Sequence, residues 1–342
     1  MEKGLSVLLI TRNEAKTIST ALNSLGNIAD QIVIVDTGST DDTCDIAASH
    51  PLQPEVYEIE WKEDFSAARN TALTFCRYSW CMVLDADEYL DEACRSSVRQ
   101  LVETTLENDP QSLYAPLIDN LNGNFLRNNP RIFQRRDTLK YYGRVHEYLS
   151  DQSNTKIVAL HEIVIKHTGY LSGIHNQDQK HERNIRLLRQ QIKEEPDLYR
   201  WKYFLLRYID IQSHEAFSLL NDFGRLPLPY PSDIEVYAFN AKTRLIQNHL
   251  ENEEWKMAYE HAAELYNFYK DYDTSLLYVT SKLHSAYRLF ESTLDECENI
   301  LTDAPSLRKD EYLHERTSPE LMLQLQHEMS IIRSGLYDVT EK

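Results

Sequence analysis

The sequence predicts an α/β domain with a mostly parallel sheet over residues 1–176, followed by an all-α domain over residues 177–342. Three observations predict it. Short apolar runs alternate with segments of helical period through the first third, the pattern of a helix-covered parallel sheet. Several of those runs stop abruptly at acids, as buried strands do on reaching the carboxyl edge of a sheet. From Gln179 onward the apolar spacing is helical.

Residues 6–11 form the first strand, and residues 14–25 a helix with Ile18, Ala21, Leu22 and Leu25 on one face. Residues 31–35 are the second strand. It ends at Asp36, and Gly38 with Ser39-Thr40-Asp41-Asp42 supplies a turn and capping residues for a helix over 43–49. Residues 56–59 make a shorter strand, 65–76 an Ala-rich helix, and 80–84 a fourth strand running into Asp85-Ala86-Asp87. Residues 113–118, 131–134 and 163–166 read as further strands, with a polar loop over 119–130. In the helical part, Ile185, Leu188 and Ile192 form one apolar face, and after Pro196-Asp197 the residues Trp201, Phe204, Leu205 and Tyr208 form the next. Residues 215–223, 234–250, 254–272 and 275–301 supply more helices. Such pairs resemble tetratricopeptide (TPR) repeats of irregular period. Tyr259, Tyr266, Tyr269 and Tyr272 either line a peptide groove or pack the helices with their hydroxyls outward.

A chain of 342 residues suits two domains, each with its own core. The longest apolar run near the start, residues 7–10, is too short for a bilayer span or a signal peptide, so the expected location is the cytoplasm, without a membrane partner. Cys44, Cys76, Cys81, Cys94 and Cys297 contain no C-x-x-C pair and read as reduced thiols. A net charge of -18 repels phosphate backbones, so nucleic acid is not an expected partner.

Polar stretches follow the strands: Arg12-Asn13-Glu14, Asp36-Thr37, Asp64 and Asp85-Ala86-Asp87. In a parallel sheet the carboxyl ends share one edge, so these converge on one crevice. Neither G-x-G-x-x-G after the first strand nor a P-loop is present, so a bound nucleotide is held by carboxylates and a metal. Asp85 and Asp87 have different neighbours, so one can face a divalent cation, Mg²⁺ or Mn²⁺, while the other reaches a sugar hydroxyl. The same residues also read as a solvated turn capping a helix near Asp91. Asp36 suits a nucleobase N–H or a ribose hydroxyl, and equally a helix cap.

Thr11-Arg12-Asn13-Glu14, Ile34-Val35-Asp36-Thr37-Gly38-Ser39-Thr40-Asp41-Asp42-Thr43, Trp61-Lys62-Glu63-Asp64-Phe65-Ser66-Ala67-Ala68-Arg69-Asn70 and Asp85-Ala86-Asp87-Glu88 together resemble, in order and spacing, family 2 glycosyltransferases of the GT-A fold. The resemblance implies a nucleotide-sugar domain with the base at Asp36, the ribose near Asp85 and the metal on Asp87. It also gives donor-binding places to Thr11, Asn13, Glu14 and Arg69. Pro130-Arg131-Ile132-Phe133, Gly143-Arg144-Val145-His146-Glu147, Ile165-Lys166-His167-Thr168-Gly169-Tyr170 and the segment from Lys180 to Asn184 resemble glycocin glycosyltransferases of the sublancin type. Those enzymes attach sugars to Cys or Ser side chains of a bacteriocin precursor.

His167 is a candidate to complete the metal shell begun by Asp87, or else a hydrogen-bonded surface group. His146 and Glu147 are suited to take the proton of an attacking thiol or hydroxyl, or to orient the acceptor loop as a structural pair. Arg131, Lys180 and Arg183 are candidates to neutralise a departing diphosphate, or surface cations. The expected function is metal-dependent, inverting transfer of a hexose from a UDP-sugar, UDP-glucose or UDP-N-acetylglucosamine, to Cys or Ser/Thr of a peptide. A glycan acceptor is the second reading, an inactive binding scaffold the third, and a homo-oligomer is compatible with each.

Overall fold

The structure, a computed structural model, describes residues 2–105, 108–151, 155–169, 177–303, 327–328, 330–331 and 333. The chain divides into two compact units, Met1–Tyr208 and Ile209–Lys342.

In the first unit, β1 (Glu2–Thr11) pairs in parallel with β2 (Gln31–Asp36) and β4 (Tyr78–Val83), and β2 pairs in parallel with β3 (Glu55–Glu58). The helices α1 (Ile18–Leu25), α2 (Thr43–Ala48) and α3 (Phe65–Phe75) are the crossovers between them. Successive strand residues serve opposite faces. Leu5, Val7, Leu9, Ile32, Ile34, Trp80 and Met82 pack with α1 in one core, while Leu8, Val33, Val35, Cys81 and Val83 pack with Ala72 and Leu73 of α3 in the other. This two-sided burial is why the strands read as continuous apolar runs.

Beyond β4 the sheet becomes mixed. Its further strands are β5 (Glu88–Leu90), β6 (Leu113–Asp119), β7 (Phe125–Leu126), β8 (Ile132–Gln134) and β11 (Ile157–His167), with the helix α4 (Arg95–Gln100) between β5 and β6. The strand order is β3-β2-β1-β4-β8-β6-β11-β5, with β8 antiparallel to both neighbours and β7 hanging from β6. The strands β9 (Lys140–Tyr142) and β10 (Tyr148–Ser150) form a separate antiparallel pair.

The helices α5 (Gln177–Glu194) and α6 (Tyr199–Leu205) belong to this unit. Leu187, Leu188, Trp201 and Leu205 are buried, and the Trp201 ring lies so close to Gly143, at φ +99°, that a Cβ there would collide with it. The units therefore meet at 208/209, later than the expected 176/177 boundary. The first helix also differs from expectation, starting at Ile18 rather than Glu14. Asn13 takes φ +57°, and the backbone N–H groups of Glu14 and Ala15 go to Thr43 Oγ1 and Asp41 Oδ2 instead of entering a helix.

The second unit contains α7 (His214–Gly224), α8 (Glu235–Glu251), α9 (Trp255–Phe268) and α10 (Tyr272–Asp303), each packed on the next. Tyr266 stacks on Tyr278 at 4.9 Å, Tyr259 lies 5.9 Å from the same ring, and Tyr269 meets Phe239 edge-on while donating to Glu235. These three tyrosines pack helices. Tyr272 is exposed. Cys44, Cys76, Cys81 and Cys94 are free thiols. No helix among the described residues is long and apolar enough to cross a membrane.

Candidate active site

The carboxyl ends of β1, β2 and β4 lie side by side because the strands are parallel and in register, Thr11 facing Asp36 and Leu8 facing Val83. Asp36 is almost fully buried. Its Oδ1 accepts from the backbone N–H of Gly38 (2.8 Å) and Ser39 (2.7 Å), and its Oδ2 accepts from the hydroxyls of Thr11 (3.0 Å) and Ser39. Burial alone would raise this carboxyl, but the hydrogen bonds from Ser39, Gly38 and Thr11 outweigh it and hold the group below the usual carboxylate range. Asn13 ties the first loop to the second, its N–H donating to Ser39 Oγ and its Oδ1 accepting from Thr40 N–H. The Glu14 carboxylate accepts from Thr17 Oγ1 at 2.7 Å. Thr11, Asn13, Glu14 and Asp36 thus shape one edge of the crevice. Asp64 is the N-cap of α3, accepting from Ala67 N–H at 3.0 Å.

After β4 the chain turns through Asp85-Ala86-Asp87, closed by a hydrogen bond from Glu88 N–H to the Asp85 carbonyl. Ala86 points into the core, so the two flanking acids diverge. Asp85 faces two buried arginines: Arg69 Nη2 donates to Oδ1 at 2.8 Å and Arg131 Nη2 to Oδ2 at 2.9 Å. Arg131 also holds Glu88 (2.7 Å), and Arg69 Nε donates to Glu147 Oε1 (2.5 Å). Burial would raise the Asp85 carboxyl, yet Arg131 and Arg69 hold it well below the usual range. Glu88 moves the other way: burial, reinforced by the charges of Asp85 and Asp87, outweighs Arg131 and pushes it up. Arg69 Nη1 and Arg131 Nε are buried without a hydrogen-bond partner among the described residues.

Asp87 turns toward β11. The strand β5 pairs antiparallel with the end of β11, Glu88 opposite His167, and this brings together residues 80 apart in sequence: His167 Nε2 lies 3.2 Å from Asp87 Oδ2. The other ring nitrogen, Nδ1, bonds Asn120 Oδ1 at 3.0 Å, and Thr168 donates its N–H and its hydroxyl to the Asp87 carbonyl. Burial disfavours the imidazolium, but the Asp87 carboxylate outweighs it and raises the His167 pKa. Two cis ligands about 2.1 Å from an octahedral cation sit about 3.0 Å apart. The Asp87–His167 separation therefore fits one edge of such a shell, with a hard oxygen and an imidazole nitrogen as donors. Among the described residues no group of three or more His, Cys, Asp or Glu is arranged to hold a metal.

His146 and Glu147 point to different places. His146, at φ +55°, stacks on Phe204 of α6 (4.3 Å, 7°), and its Nε2 bonds the Tyr208 hydroxyl at 2.8 Å. Burial, with the cations of Arg207 and Arg200 nearby, pushes its pKa down to about 3. Glu147 faces the arginine network through Arg69. Arg183 lies over the Phe65 ring at 4.9 Å, and burial lowers its pKa. Lys180 sits in the first turns of α5, half-buried and without an ion pair among the described residues. The network thus joins Arg69, Asp85, Arg131 and Glu147, and sets Asp87 with His167 beside it. Glu88, Asn120 and Tyr208 were not foreseen as site residues. Glu88 stood inside the D-x-D stretch, whereas nothing in an Asn-rich loop marked Asn120.

Residues 6–166 match Glycosyl transferase family 2. The chain is 26% identical over 204 residues to the SPbeta prophage-derived glycosyltransferase SunS of Bacillus subtilis, a match covering 59% of this chain and 48% of that protein. It is 29% identical over 180 residues to a TPR repeat-containing protein of Synechococcus elongatus, covering 48% of this chain and 42% of that one. The chain thus spans about half the length of these relatives or less. A solved structure of S. aureus TarS 1-349 covers 84% of this chain and 91% of its own, with 16% identity and a TM-score of 0.41.

Proposed function

The chain carries a glycosyl transferase family 2 domain over residues 6–166, and from that premise we propose that it transfers a hexose from a UDP-sugar to a Cys or Ser/Thr side chain of a peptide. The observation that carries this reading is the divergence of Asp85 and Asp87. One is locked by Arg69 and Arg131 at the crevice floor, and the other faces His167 at octahedral spacing.

In this reading the base and ribose lie along the edge shaped by Thr11, Asn13, Glu14 and Asp36, and Asp87 with His167 holds a divalent cation. The cation, when bound, screens the charge that develops on the diphosphate. Lys180 and Arg183 supply further positive charge, and Arg69 and Arg131 fix the carboxylates beside it. Glu147 takes the acceptor proton. His146 is the weaker base, because its buried imidazole, with a pKa pushed down to about 3 and Nε2 bonded to the Tyr208 hydroxyl, has little affinity for the acceptor proton. The acceptor sulfur or oxygen forms the bond to the anomeric carbon as the bond to the diphosphate oxygen breaks. UDP leaves, the proton rests on Glu147, and a single displacement inverts the centre.

A peptide acceptor is favoured by the resemblance of residues 130–184 to sublancin-type transferases and by the helical second unit, whose paired helices offer a peptide-binding surface. The test is incubation of the chain with UDP-glucose or UDP-N-acetylglucosamine, Mn²⁺ and Cys- or Ser-containing peptides, read by intact mass. A hexose adduct is expected. UDP-sugar hydrolysis without any peptide adduct would leave the donor half and refute the acceptor.

A further inference from the structure

We infer that Asn120 is a positioning residue for the Asp87–His167 pair, presenting the His167 Nε2 lone pair to a divalent cation by accepting the Nδ1 proton. The inference rests on the metal reading above and adds a residue to it. The residues at 121–129 of the same loop are all exposed, whereas Asn120 itself is only 5% exposed. It is carried there by register. β6 and β11 run in parallel with Ile118 opposite Ile165 and Asp119 opposite Lys166, so the next residues along, Asn120 and His167, arrive together. The Asn120 N–H is used by the Asn124 carbonyl (3.1 Å), which holds the loop base and leaves the amide oxygen directed at the ring, 3.0 Å from Nδ1.

A neutral imidazole has one proton and one lone pair. Asp87 Oδ2 also stands as an acceptor beside Nε2, so it is with a cation between them that the acceptor at Nδ1 keeps the ring proton there and leaves the lone pair on Nε2, the atom facing the cation. A Cβ at Gly169 would come within 2.6 Å of His167 Nε2 and closer still to Asp87 Oδ2, so the residue beside the pair must be a glycine. Asn120 therefore sets which nitrogen is the ligand, and Gly169 puts no side chain of its own against it.

The experiment is an Mn²⁺ titration of the full chain with UDP present, followed by the electron paramagnetic resonance signal of free Mn²⁺, which needs no turnover. Asn120→Ala is expected to weaken Mn²⁺ binding by about 10- to 100-fold, the usual effect of removing a partner of a ligating histidine. Asn120→Asp, which keeps an acceptor at Nδ1, should bind within a few-fold of the unaltered chain. Because Asn120 acts through His167, Asn120→Ala should add nothing to the loss caused by His167→Ala. Weakening by His167→Ala with unaltered binding by Asn120→Ala, or full additivity of the two, would overturn the role of Asn120 and leave the metal reading standing. Equal Mn²⁺ binding by the unaltered chain and His167→Ala would overturn the metal reading, and the inference with it.

Discussion

Asp85 and Asp87 stand one residue apart and lose different things when replaced. Asp87 faces His167 with only 11% of its side chain exposed, but its partner is an imidazole rather than two fixed cations, so Asp87→Ala is expected to abolish transfer with a smaller change in the urea midpoint than Asp85→Ala; normal turnover would remove it from the site. Asp85 lies between two buried guanidiniums, and Asp85→Ala leaves both without their shared carboxylate. Breaking a buried pair costs about 3–5 kcal/mol, and with 29% of the Asp85 side chain exposed the lower end applies. Asp85→Ala is therefore expected to cost about 3 kcal/mol, a larger consequence than weakened donor binding alone. An unchanged unfolding curve would contradict this. For the base, Glu147→Gln should lower transfer to a Ser acceptor by about two to four orders of magnitude and to Cys by less, since a thiol ionises without help near pH 8.5. Rates against pH for both peptides decide it. Equal losses at every pH would make Glu147 a positioning residue too.

At the scale of elements, what could be read from sequence depended on burial as well as length. The three-residue β8 fell inside the run read at 131–134 because Ile132 and Phe133 are buried, whereas of the eleven residues of β11 only 163–166 were read, its first half being mostly exposed. The strands β1, β2 and β4, and the acids at the ends of the second and fourth, were legible because buried runs of six or more residues carry a clear signal. The strands β5, β9 and β10 have three residues each, too few for a period to repeat, and β5 is the element that sets Asp87 beside His167. The fate of His146 was illegible for another reason: its burial is made by Phe204 and Tyr208, about sixty residues later. That contact has a pH signature. The folded pKa of about 3 lies below the ordinary 6.5. Above pH 6.5 neither state holds the proton, and below it the unfolded chain takes one that the folded chain refuses. Stability contributed by the neutral ring therefore declines between about pH 6.5 and 3, by about 2 kcal/mol at pH 5. Replacing His146 by Gln, which does not titrate, should flatten the urea midpoint between pH 7 and 5 relative to the unaltered chain. Parallel pH profiles would show that His146 is not buried neutral.

At the scale of the whole molecule, the position of the break between units changes where the chain can be cut. The composition shift near Gln179 was visible in sequence, but it marks a change of secondary structure inside one compact unit, because α5 and α6 complete the first core. Leu187, Leu188, Trp201, Leu205 and Leu206 are buried, Arg144 N–H donates to Gln191 of α5, and Arg200 of α6 donates to the His146 carbonyl. At about 1.5–3 kcal/mol for each large apolar side chain, losing five removes roughly 10 kcal/mol, comparable with the whole stability of a domain. A chain ending at 176 is thus expected to aggregate or unfold, and one ending at Tyr208 to give a single cooperative transition. The same cut separates donor from acceptor work. Residues 1–208 hold every candidate donor and metal residue, from Thr11 to Arg183, so this chain should keep metal-dependent UDP-sugar hydrolysis. If the helical unit carries the peptide, glycosylation should fall at least a hundredfold, about 2.7 kcal/mol of lost transition-state binding. Calorimetry checks the fold, UDP release the donor half, and peptide mass the acceptor half. Full peptide glycosylation by residues 1–208 would place acceptor recognition on the first unit, and a folded, active 1–176 chain would refute the role given to α5 and α6.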